Sequence, residues 1–82
     1  MTQEEMRADV SALAHEILRT RISLERAREI KSYLDRQYPY GSEGFDIRSR
    51  IMIDTGAGET LAYDIMAGEY LERMQKEKSG NN

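Results

Sequence analysis

The first 38 residues carry apolar side chains at helical spacing twice over, and Pro39 ends the pattern. In the first run, 2–20, Met6, Val10, Leu13, Ala14, Ile17 and Leu18 fall on one stripe of a 3.6-residue period. Thr2 and Glu5 have the spacing of a capping box, in which hydroxyl and carboxylate each satisfy a backbone amide of the other. Glu4, Glu5 and Asp9 sit at the positive end of the helix dipole, with Arg19 and Arg21 at the negative end. The second run, 24–37, has Ser23 as its expected N-cap and Leu24, Ala27, Ile30, Leu34 and Tyr38 as its buried face. Pro39 disfavours helical geometry at the residue before it. The short link at 20–22 predicts an antiparallel helix pair.

After the loop Tyr38-Pro39-Tyr40-Gly41-Ser42-Glu43-Gly44 the period changes to two. Phe45, Ile47, Ser49, Ile51 and Ile53 alternate with Asp46, Arg48, Arg50, Met52 and Asp54. That alternation predicts a half-buried strand. Thr55-Gly56-Ala57-Gly58 supplies a turn, and Leu61, Tyr63 and Ile65 alternate again. The pattern reads as a β-hairpin, 45–53 with 59–65. A competing reading starts a helix at Thr60, because Leu61, Ile65 and Tyr70 also share a helical face. A last helix, 66–78, carries Met66, Tyr70, Leu71 and Met74 on one side, and Gly68 weakens it by about 1 kcal/mol relative to Ala. A polar tail, 79–82, follows and is expected to be disordered. The expected fold is a helix-rich α+β class, one small domain over 1–78 in the order ααββα.

Composition narrows the chemistry. The 82 residues contain no cysteine and one histidine, so disulfides and thiolate metal sites are excluded and no metal or cofactor site is expected. No apolar run approaches a membrane span and no secretory leader is visible, so a cytoplasmic protein without membrane contact is expected. A chain of this size buries only about 60–65% of its unfolded surface, and self-association into a homodimer is one way to bury more.

Ile51-Met52-Ile53-Asp54-Thr55-Gly56-Ala57 resembles the catalytic loop of retroviral-type aspartic proteases. That resemblance would make Asp54 one carboxylate of a dimeric dyad, with Thr55 and Gly56 shaping the loop. It covers seven residues, follows a largely helical segment and leaves 28 residues after Asp54. The expectation is therefore a turn with Asp54 bonding local amides, and no catalytic residue. His15 lies about 150° from the centre of the first apolar stripe, facing solvent. Gly56-x-Gly58 lacks the pattern of a phosphate loop.

Charge is distributed in three blocks. Residues 1–18 carry a net −3, 19–50 a net +3 and 51–82 a net −3. The basic middle, with its tyrosines around Pro39, is the expected contact surface, because Tyr and Arg are enriched in binding hot spots. Its candidate partner-binding residues are Arg28, Tyr33, Arg36, Tyr38, Tyr40, Arg48 and Arg50. The expected function is a non-enzymatic interaction module binding a larger protein partner. By analogy of size and composition alone, it would be an inhibitor, adaptor or regulatory subunit such as phages and mobile elements encode. The alternative is a dimeric nucleic-acid-binding regulator using the same basic segment, ranked second because the net charge is −3.

Overall fold

The computed structural model describes residues 1–80, with side chains through Lys78. Four helices follow in order: α1 (Gln3–Arg19), α2 (Leu24–Gln37), α3 (Glu43–Asp54) and α4 (Ala57–Gly80). Both halves of the capping box form at Thr2 and Glu5, and the Ser23 hydroxyl accepts from the Arg26 amide. Of the tail expected over 79–82, the backbone of 79–80 continues α4, and 81–82 lie outside the described residues.

The expected α+β class is overturned. No strand occurs among the described residues, and both arms of the expected hairpin, 45–53 and 59–65, are helical. Two side chains made α3 look like a strand. Ile53 is apolar yet 76% exposed, and Arg48 is charged yet turned inward, its side chain 19% exposed. With those two set aside, the positions buried or half-buried on α3 include Gly44, Phe45, Ile51 and Met52, which helical spacing brings together. For 59–65 the helix reading is the one the structure adopts, and that helix begins earlier, at Ala57.

The turn residues expected to join two strands instead join two helices. Gly56 takes φ +80, the left-handed conformation that ends many helices. The Thr55 hydroxyl donates to the Ile51 carbonyl at 2.6 Å and accepts from the Ala57 amide at 3.2 Å. One side chain thus closes α3 and opens α4. Asp54 is the last residue of α3 and belongs to no dyad-like loop.

The core is one cluster. It takes Val10, Ala14 and Ile17 from α1, Ala27, Ile30 and Leu34 from α2 with Tyr38 behind them, Met52 from α3, and Ala57 and Leu61 from α4. The backbone of α1 lies against α3 and α4, and that of α2 against α4. α1 and α2 fold back on one another chiefly through long side chains. Arg26 grips Glu16 with two bonds of 2.6 and 2.8 Å, and Tyr33 donates to Asp9 at 2.6 Å. Gly68 has a packing reason. A Cβ there would stand 2.9 Å from the Cβ of Leu24, so its absence lets α4 settle on α2.

Candidate interaction face on the last helix

The seven residues expected to make a contact surface are dispersed by the fold. Tyr38 is 2% exposed and belongs to the core, where its hydroxyl donates to Asp9. Tyr33 donates to the same carboxylate, so two phenols converge on one acid. Burial, and then the neighbouring Asp9, push the Tyr38 phenol well above its ordinary range. The hydrogen bond to Asp9 raises Tyr33 too, with burial adding to it.

Arg48 and Arg50 were expected on one face, as strand neighbours two apart would be. On a helix two residues subtend about 200°, so they point to opposite sides. Arg48 reaches the C-terminal end of α2, donating to the carbonyls of Leu34 and Tyr38 at 3.1 Å each and to Asp35 at 2.8 Å. These carbonyls end a helix and form the negative pole of its dipole, so the guanidinium works as a cap. Its Cζ also stands 5.5 Å from the centroid of Phe45. Arg50 is exposed beside Arg7 and the acids Glu43 and Asp46. Arg28 ties α2 to α4 through Glu69 at 3.4 Å and Glu72 at 3.9 Å. Tyr40, 89% exposed with its ring edge-on to Phe45, Arg36 and Arg50 keep the open setting a contact residue needs. Four of the eight basic side chains of 19–50, Arg26, Arg28, Lys31 and Arg48, are thus held in ion pairs.

The exposed apolar surface lies elsewhere. Tyr63, Met66, Tyr70, Leu71 and Met74 are each 49–70% exposed, and all five lie on α4. At 100° per residue Tyr63, Met66, Tyr70 and Met74 centre about 180° from Leu61, Ile65 and Gly68, the side of α4 turned to the bundle. α4 is thus apolar on two opposite sides. One side packs on the core, and the other, bordered by Arg28, is left exposed by the described residues. The polarity of the inner side then changes along the helix. Up to Gly68 it is apolar, and past Leu71 the same side carries Glu72, Gln75 and Lys76. There the helix has outrun the bundle, and every side chain from Leu71 to Lys78 is exposed. The outer side stays apolar through Met74. A shallow groove of about 280 Å³ lies between α2, α3 and α4, walled by Phe45, Met52, Ile53, Ala62 and Ile65.

Sequence reasoning placed Met66, Tyr70, Leu71 and Met74 on one side of a helix but did not name them, or Tyr63, as contact residues. The signal was the switch of the inner side to Glu72, Gln75 and Lys76 while the outer side kept its apolar character. Among the described residues no group of three or more His, Asp or Glu side chains is placed to hold a metal, and no helix is long and apolar enough to cross a membrane. No protein-family model, curated protein or solved structure matches the chain.

Proposed function

We propose that this protein is a non-catalytic protein-interaction module whose contact face is the solvent side of α4. The carrying observation is the stripe of Tyr63, Met66, Tyr70 and Met74, apolar and uncovered on a helix whose opposite side already packs on the core. A contiguous apolar patch rimmed by charge is the usual mark of a protein contact. Tyr and Met are the residue types enriched in such patches. The rim here is charged on both sides, with Asp64, Glu69, Arg73 and Lys78 beside the stripe.

The nucleic-acid alternative has less to support it, since Arg48 caps α2, Arg28 pairs with α4 and Arg26 pairs with Glu16, while Arg19, Arg21 and Arg50 stay exposed. The test is differential capture. The wild type and a Tyr70→Arg/Met74→Glu variant are compared as baits, with Arg36→Glu/Tyr40→Ala as a second arm at the α2–α3 corner. Partners lost only with the α4 variant support the reading. An unchanged set with the α4 variant, or loss confined to the corner variant, overturns it.

A further inference from the structure

The outer face of α4 has a charge pattern that selects its own occupant. On the outer face and its rim the first three charges are the acids Glu59, Asp64 and Glu69, a net −3. The next three are Arg73, Glu77 and Lys78, a net +1. That face thus runs from acidic to basic with an apolar stripe along it. A parallel copy would set acid on acid and base on base. An antiparallel copy sets each half against its complement and also opposes the two helix dipoles.

We propose that α4 pairs antiparallel with α4 of a second copy of this chain, about a two-fold axis near Tyr70, to form a homodimer. This rests on the reading of α4 as the contact face and names its partner. Under that symmetry each contact occurs twice. Tyr70 meets the second copy's Tyr70, and Met66 meets its Met74. Tyr63 falls opposite Glu77, where a phenol can donate to a carboxylate. Arg73 lies within a turn of the second copy's Glu69, and Lys78 within a turn of its Asp64. These flanking pairs set the orientation as edge charges do in coiled coils.

The geometry leaves room for this. The stripe points directly away from the core, so the two bundles lie on opposite sides of the helix pair. The molecule extends 54 Å along its longest axis and 25 Å across, and the projecting turns past Leu71 reach beyond the bundle into the space a second copy would fill. The four stripe side chains leave on the order of 500 Å² uncovered, judged from the area that large side chains bury. Leu71 and the flanking stems bring this toward the ~800 Å² per partner of stable interfaces.

Two experiments test it. Sedimentation equilibrium from about 1 µM to 1 mM spans the dissociation constants that modest interfaces show. The mass should rise from 9.5 kDa toward twice that value. A charge swap then tests the orientation. Arg73→Glu/Lys78→Glu makes both ends of this face acidic, and Glu59→Lys/Asp64→Lys gives both ends a net positive charge. Each alone should dimerise at least tenfold more weakly than the wild type, and an equimolar mixture should restore association as a heterodimer. Circular dichroism checks that each variant keeps its helix content.

Because the chain has no cysteine, single-cysteine variants report the register. Oxidised Tyr70→Cys should cross-link to itself, and Met66→Cys should link to Met74→Cys in preference to itself. His15→Cys, exposed on α1, should stay monomeric. Self-linking of Met66→Cys and Met74→Cys as readily as Tyr70→Cys would mean parallel pairing and overturn the proposal. A mass of 9.5 kDa at every concentration would also overturn it. If Tyr70→Arg/Met74→Glu still changed capture, the face would belong to a different protein and only the self-pairing would fall. If it changed nothing, both readings would fall.

Discussion

Arg48 shows how one side chain can reverse the reading of an element. As a charged residue in an alternating run it argued for a solvent face, yet its guanidinium ends on the carbonyls of Leu34 and Tyr38. Arg48→Met keeps the aliphatic stem and removes the cap, and is expected to lower unfolding free energy by about 1–3 kcal/mol in urea titrations. Arg48→Lys, which cannot span both carbonyls and Asp35 with a planar fork, should recover only part of that. Gly68 makes the opposite point. Propensity alone says Gly68→Ala should stabilise α4 by about 1 kcal/mol. The added Cβ would stand 2.9 Å from Leu24 Cβ, close to the backbone and unable to swing aside. Overpacking of that kind costs about 1–3 kcal/mol, so the expected outcome is no gain or a net loss, read as a fall in the urea midpoint.

At the scale of the element, α1 and α2 were legible because local signals and periodicity agreed. Thr2, Glu5 and Ser23 cap where the apolar stripes begin, and Pro39 follows where the second ends. α3 was not legible. Its twelve residues are short enough for an alternating and a helical pattern to overlap, and Ile53 and Arg48 tipped the balance toward the wrong one. α4 misled differently. A helix apolar on two opposite sides has no single amphipathic face, so its first turns passed for a strand. Its far end contributes little to the monomer, since side chains 71–78 are all exposed. Deleting residues 73–82 is therefore expected to shift unfolding free energy by no more than about 0.5 kcal/mol. The check is urea denaturation at micromolar concentration.

The whole molecule has a defined pH window. Glu16 is held below its ordinary value of 4.5, first by the hydrogen bonds from Arg26, and Asp35 below 3.8, first by Lys31 and then by Arg48. Their contribution is complete above those values and is lost as the pH falls through the lowered ones. Tyr33 and Tyr38 are raised above their ordinary 10.0. Unfolding lets them ionise sooner, so their contribution is complete below pH 10 and is lost as the pH rises further. Urea midpoints should form a plateau between about pH 5 and 10 with a decline on each side. Tyr38→Phe should flatten the alkaline decline. An unchanged alkaline limb in that variant would show that the Tyr38 phenol does not set it.

The sequence by itself determined the first two helices with their caps, the chain reversal at Thr55 and Gly56, and the exclusion of disulfides and thiolate metal sites. Those depend on neighbours a few residues apart or on composition. Only the tertiary structure decided that 45–65 is helical, that Tyr38 is core, and that Arg28 and Arg48 are structural ties. It also decided which side of α4 stays uncovered. Each of these depends on whether another element arrives to cover a surface, and that contact comes from residues distant along the chain. An apolar stripe looks the same in sequence whether it faces the core or solvent. On α4 the deciding fact is that α1, α2 and α3 pack against one side and leave the other exposed.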